Sequence, residues 1–223
     1  MASNIKYTSI AELPNQLRLF PLSGATLLPG SFLPLNIFEP RYLSMVDDAL
    51  SKDRLIGMIQ PKLSHDITPN YDMGLEKVGC AGRIIQLAET GDGRYRITLY
   101  GIARFNCLDF IDNSTPFLCH KVDFSHFADD LRNSTSEFQL DRDKIQKILE
   151  LFAEIANINI EKNEVDNLSS QMLINTLATI GNFTPIEKQA LLEASDISVR
   201  AELLYSLAEL MLVKKQSGKD IIQ

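Results

Sequence analysis

Cys119 and His120 stand side by side in "FLCHKVDF" (117–124), a thiol and an imidazole of the kinds that make a nucleophile and its general base. The segment reads as a β-strand, however, and neighbours on a strand point to opposite faces, so these two side chains cannot form a pair. His126, just beyond the strand, is the other imidazole within reach of a fold-back. His65 has Asp66 beside it in "PKLSHDITPN", but one imidazole and one carboxylate fall far short of a metal ligand set. The three cysteines, Cys80, Cys107 and Cys119, cannot all pair with one another, and their spacing matches no zinc pattern. They read as free thiols of a reducing compartment. No catalytic residue, metal ligand or cofactor site is assigned, and an enzyme is disfavoured because acid, base and nucleophile do not come together.

Binding chemistry is better represented. Arg94, Arg96 and Tyr100 fall on one side of an alternating run, and an arginine–aromatic surface suits protein contacts as well as single-stranded RNA. The segment "PKLSHDITPNYDMGLEK" (61–77) is long for a loop in a compact domain, and such loops are often either binding loops or mobile, disorder being the competing reading. Tyr71 and Met73 near its centre are suited to gripping an apolar peptide. Glu39 and Arg41 flank Pro40 at a helix start. One reading makes them part of a recognition surface; the simpler one is structural, with Glu39 complementing the positive helix end and Arg41 pairing with a carboxylate across the barrel. Arg104 in "GIARF" carries the same structural bias.

The elements that must hold these residues follow from periodicity. Up to about residue 124, short apolar runs alternate with turn residues: 17–20, 32–38, 55–60, 78–87, 93–100, 102–111 and 117–124. In 94–100, Tyr95, Ile97 and Leu99 share one face and Arg94, Arg96, Thr98 and Tyr100 the other, the period of a sheet with one buried side. Gly91, Asp92 and Gly93 predict a tight hairpin between 78–87 and 93–100. A helix over about 40–52 begins at Pro40, where a missing N–H costs nothing. From about residue 134 the period becomes 3.6. Ser134 and Glu137 have capping-box spacing ahead of a helix through Ala156, and further helices are expected near 167–180, 184–195 and 197–215. Thr184, Pro185 and Glu187 mark the start of the third, and Lys214 and Lys215 sit at the negative end of the last. The polar stretch 126–136 reads as a linker.

The 223 residues suffice for two modest domains. Hydrophobic content of 45% is that of a globular chain, no run approaches a membrane span, and the first residues lack the features of a signal peptide, so the expected location is cytoplasmic. Of the net charge of −7, residues 126–223 carry −6 and residues 1–125 only −1. A nucleic-acid binder ordinarily shows a basic surplus, so nucleic acid is disfavoured as a partner.

Pro21, Pro29, Pro34 and Pro40 thread a hydrophobic run, "FPLSGATLLPGSFLPLNIFEPRYLSMV". Proline is confined to strand edges, starts and corners, and a small barrel has many of these. This run resembles the signature of the Lon protease N-terminal domain, a Pro-Leu run leading through a Pro-Gly corner to a Phe-Glu-Pro-Arg-Tyr helix start. "VGCAGRI" (78–84), "DGRYRITLYGIARF" (92–105) and "TPIEKQALLEASDISVRAELL" (184–204) are similar to further family segments in the same order, over about residues 17–215.

The resemblance implies an α+β fold: a PUA-like antiparallel β-pseudobarrel with one inserted helix (1–125), the linker (126–136) and a helical bundle (137–223). It implies a protein that binds protein or peptide clients and recognises or delivers them for a AAA+ protease. The Lon ATPase phosphate loop is missing: near "SGKD", Val213 stands where its first glycine should be. The Lon proteolytic domain is missing too, so a non-enzymatic, stand-alone member is expected, with no cofactor. The alternative is an RNA-binding PUA-like module, suggested by the barrel and opposed by the acidic balance.

Overall fold

The computed structural model describes residues 6–62, 74–131, 142–156 and 169–219. The chain divides into two compact units, Met1–Asn133 and Ser134–Gln223.

The first unit holds β1 (Gln16–Pro21), β2 (Phe32–Ile37), α1 (Pro40–Ser51), β3 (Leu55–Ile59), β4 (Val78–Thr90), β5 (Arg94–Phe110) and β6 (Leu118–Asp123). The strands lie in the order β2-β5-β4-β3-β1-β6, and β6 also pairs with β5. Five strands therefore close into a ring, with β2 attached to the outside of β5. Expected as antiparallel, the sheet is instead mixed. β1 and β3 run parallel, with Leu19 opposite Gly57 and Pro21 opposite Ile59. A parallel pair needs a long crossover, and residues 22–54, which include β2 and α1, supply it.

β5 corrects a second expectation. The two runs about Gly101 form one strand of 17 residues, whose first half pairs with β2 and whose end pairs with β6. Gly101 does not break the strand; it admits a crossing segment. Its N–H donates to Ser31 O and its carbonyl accepts from Gly30 N–H, both at 2.9 Å. A Cβ there would lie 2.0 Å from Leu28 O. Gly30 itself turns the Pro29–Gly30 corner at φ 77°, a conformation glycine adopts without a Cβ clash. The prolines fall at such places: Pro21 ends β1, Pro34 lies on the outermost strand, and Pro40 opens α1.

The barrel interior is filled by Leu17, Leu19, Leu55, Ile59, Ala81, Ala103, Phe105, Val122 and Phe124. Residues 126–131, assigned from sequence to the linker, belong to a 3-10 turn, Ser125–Leu131, with Phe127 buried. Its anchor is Asp130, which accepts from Arg104 Nε, Nη2 and backbone N–H, each at 2.9 Å, while the guanidinium lies 4.6 Å from the Phe127 ring centroid. Arg104 is thus structural. Arg41 departs from expectation: it pairs with Glu39 at 2.8 Å, two residues away, rather than across the barrel.

The second unit holds α2 (Arg142–Ala156), α3 (Ser170–Ile180), α4 (Pro185–Glu193) and α5 (Ile197–Lys219). Thr184 and Glu187 form the full capping box that their spacing predicts. Ser134 and Glu137 lie outside the described residues. Ile148, Ile174, Leu191 and Leu204 are fully buried, and Arg200 is buried with them, donating to Asn175 Oδ1 and Leu191 O. Lys215 does not end its own helix, which runs on to Lys219. It donates instead to Glu154 O and Ile155 O, satisfying carbonyls at the end of α2.

Candidate functional site

The alternation along β5 turns Ile97 and Leu99 into the core and leaves Arg94, Arg96, Thr98 and Tyr100 on the opposite, solvent-facing side. Register then fixes their neighbours. Tyr100 lies opposite Phe32, Thr98 opposite Pro34 and Arg96 opposite Asn36 on β2. On β4, Thr98 lies opposite Gln86 and Arg96 opposite Ala88. Phe32 and Phe38 are 41% and 60% exposed, high values for side chains of this size. The Phe32 and Tyr100 rings sit 5.2 Å apart, and the Arg94 guanidinium lies 5.8 Å from the Phe38 centroid.

The charges on this face differ in how far they are engaged. Arg94 Nε lies 3.1 Å from Asp92 Oδ2. Arg96 has no ion-pair partner among the described residues. The outer face of β2, β5 and β4 is therefore a shallow surface of aromatic rings bordered by two arginines, one of them uncommitted.

The edge of the same sheet is blunted against strand addition. Gly101 donates to Ser31 O just before the β2–β5 ladder, so alternation places the ladder bonds at residues 33, 35 and 37. The main-chain groups of 32, 34 and 36 then face the open edge, and its central position is Pro34, which has no N–H to offer. The face, not the edge, is what this sheet presents.

Of the five residues predicted as binding residues, Arg94, Arg96 and Tyr100 share this face. Tyr71 and Met73 lie outside the described residues. The described ends of their segment are held together: Pro61 bridges Leu75, and Lys62 N–H donates to Gly74 O at 2.6 Å. Phe32 and Phe38 were not singled out from sequence, because a phenylalanine in an apolar run reads as core. The edge position of β2 is what exposes them.

Sequence reasoning also overlooked a thiol–imidazole contact. Cys119 and His120 do diverge, but His120 Nδ1 approaches Cys107 Sγ at 3.5 Å across the β5–β6 ladder. The same Nδ1 is 2.9 Å from Leu108 O, an atom that can only accept. Nδ1 therefore carries the proton and has no lone pair with which to take one from the thiol. Burial pushes the Cys107 thiol up to about 11, away from the thiolate that nucleophilic chemistry requires. The contact is structural. His126 stacks edge-on against Phe127 at 5.1 Å, and His65 lies outside the described residues. Among the described residues no group of His, Cys, Asp and Glu could hold a metal ion, and no helix is long and apolar enough to cross a membrane.

Comparison with known proteins places this architecture. The family model described as the ATP-dependent protease La (LON) substrate-binding domain matches residues 16–209. The chain belongs to the Lon substrate-binding domain family. A Lon protease of Flavobacterium johnsoniae is 27% identical over 214 residues, covering 94% of this chain and 26% of the relative. Lon protease 2 of Myxococcus xanthus is 26% identical over 199 residues, covering 88% of this chain and 24% of the relative. The chain thus spans about a quarter of the length of these curated relatives. Among solved structures, a Lon N-terminal domain protein from Xanthomonas campestris aligns with a TM-score of 0.60 at 21% identity, covering 86% of this chain and 97% of that one. The N-terminal domain of a Mycobacterium avium complex Lon protease aligns with a TM-score of 0.63 at 16% identity, covering 87% and 98%. In this Lon substrate-binding domain chain, then, the aromatic–arginine face is carried by the family's own barrel.

Proposed function

We propose that this chain is a non-enzymatic polypeptide-binding module that captures apolar segments of client proteins in the cytoplasm and delivers them to an ATP-dependent AAA+ protease. The observation that carries the proposal is the exposed aromatic face of β2 and β5, with Phe32, Phe38 and Tyr100 beside Arg94 and Arg96. Family membership supports binding of protein substrates in a Lon-like setting. Tyr71 and Met73, in a segment whose ends are pinned beside the barrel, serve as further contacts. Burying two phenylalanine side chains contributes on the order of 2 kcal/mol each before association costs, which suits reversible capture rather than permanent assembly.

The test is a fluorescence-anisotropy titration of the protein into a labelled, permanently unfolded polypeptide, with a labelled single-stranded RNA alongside, each at low and moderate salt. Capture through apolar rings should survive added salt, whereas phosphate-driven binding should fall steeply. Polypeptide binding that resists salt supports the proposal. Salt-sensitive binding of the RNA alone overturns it in favour of an RNA-binding module.

A further inference from the structure

The outer face of β2 and β5 is not uniform along its length. At one end Phe32 and Tyr100 lie opposite each other, their rings 5.2 Å apart, and Pro34 and Thr98 form the next pair along. Towards the other end Arg96 lies opposite Asn36, and past the end of β2 Phe38 stands 5.8 Å from the Arg94 guanidinium. Arg96 is four residues from Tyr100 on the same strand and the same side, a separation of about 13 Å. The end marked by Arg94 and Phe38 is two residues further on, about 20 Å from the Phe32–Tyr100 pair.

Arg96 is the charge that the fold leaves over. Arg94 is taken by Asp92 at 3.1 Å, and Glu39, beside Phe38, is taken by Arg41 at 2.8 Å. The cross-strand neighbours of Arg96 are Asn36 and Ala88, both uncharged. Glu89, the carboxylate of β4, lies opposite Tyr95, so alternation turns it to the other side of the sheet. Arg96 is exposed, and among the described residues it has no ion-pair partner.

An unmatched cation set between two apolar anchors complements a carboxylate carried between two apolar residues. An extended chain has the same two-residue repeat as the sheet beneath it, so side chains one, five and seven of a client segment lie over the Phe32–Tyr100 pair, Arg96 and Phe38 in turn.

We infer that this face selects extended segments in which one acidic residue stands four residues from an apolar residue on one side and two from an apolar residue on the other. The acid meets Arg96, and the apolar residues cover the two aromatic ends. Either chain direction serves, since side chains and not main-chain groups make the contacts. The selection rests on the face being the capture surface, and adds which segments that surface prefers.

The test is a competition. End-capped heptapeptides displace the labelled unfolded polypeptide from the full chain, read by anisotropy. Phe-Thr-Ser-Thr-Glu-Thr-Phe carries the pattern. Its counterpart with Gln for Glu removes the charge, and Phe-Thr-Ser-Glu-Thr-Thr-Phe keeps the composition but turns the acid to the opposite side. At low salt the patterned peptide should compete about two- to fivefold better than either control, the range of an exposed ion pair. Added salt should shrink that preference while displacement persists. Arg96→Gln should abolish the preference, and Arg96→Glu should transfer it to the peptide with Lys in place of Glu. Arg96 is exposed, so both variants should stay folded. Equal competition by the three peptides, or a preference that survives Arg96→Gln, would overturn the selection and leave apolar capture standing. Failure of the labelled polypeptide itself to bind would overturn both.

Discussion

Replacing Gly101 with alanine should unlatch the loop that crosses β5. The added methyl would stand 2.0 Å from Leu28 O and 2.7 Å from Leu28 C, both main-chain atoms that cannot rotate away. The crossing segment must move, and it is held by the two 2.9 Å bonds that Gly101 makes with Gly30 and Ser31. It also carries Leu27 and Leu28, both buried. Overpacking of this kind costs about 1–3 kcal/mol, and losing one or both main-chain bonds adds about 1 kcal/mol each. The sum, about 2–5 kcal/mol, is a large share of the ~5–15 kcal/mol that holds an ordinary domain together. With a urea slope of about 2 kcal/mol per M, the unfolding midpoint should fall by about 1–2.5 M. The chain has no tryptophan, and five of its six tyrosines (Tyr7, Tyr42, Tyr71, Tyr95 and Tyr100) precede the second unit, so tyrosine emission follows the barrel. Gly91→Ala is the control. Nothing lies within 4 Å of its Cβ position, and its stability should change by less than about 0.5 kcal/mol. A Gly101→Ala variant as stable as the control would refute the claim that close approach, rather than strand breaking, is what Gly101 is for.

Removing Asp130 should cost about 3–5 kcal/mol, because the buried Arg104 guanidinium would lose the carboxylate that accepts from its Nε and Nη2; urea unfolding of Asp130→Ala checks this, and a loss under about 1 kcal/mol would contradict it. Cys107 should be inert to a disulfide reagent at pH 8 and gain reactivity only toward pH 11, since burial holds its proton; a fast stoichiometric reaction at pH 8 in the folded protein would speak against this. Burial raises the pKa of Asp48, but hydrogen bonds from Lys52 and Arg18 outweigh it and leave the carboxyl below its ordinary value. A depressed folded pKa means stability that is present above the unfolded value of about 3.9 and is lost as pH falls through the folded one. Urea midpoints measured from pH 6 downward should therefore decline below about pH 4, and less steeply in Asp48→Asn.

How much was legible depended on range. The β5 alternation of Tyr95, Ile97 and Leu99 against Arg94, Arg96 and Tyr100 shows in the sequence because period 2 is a local property. The Thr184–Glu187 box shows because a cap needs only three residues of context. Gly101 misled because a glycine that admits a crossing chain looks the same as one that ends a strand. The parallel pairing of β1 with β3 was hidden, since local periodicity names no partner. The same blindness hid Cys107 beside His120 and Arg18 between two carboxylates: each pair is joined by register, not by spacing. Within the candidate face, the arginines and Tyr100 were readable as outward-facing. Phe32 and Phe38 were not, because composition does not reveal that β2 is an outer strand.

The most direct test of the central claim is the polypeptide anisotropy titration repeated with a Phe32→Ala, Phe38→Ala, Tyr100→Ala triple variant at moderate salt. Phe32 and Phe38 are exposed and Tyr100 is half-buried, so the barrel should stay folded. If the aromatic face is the capture surface, affinity should fall at least about tenfold, the cost of removing one or two binding hot spots. Unchanged affinity in a folded triple variant would contradict the account and move the capture site off this face.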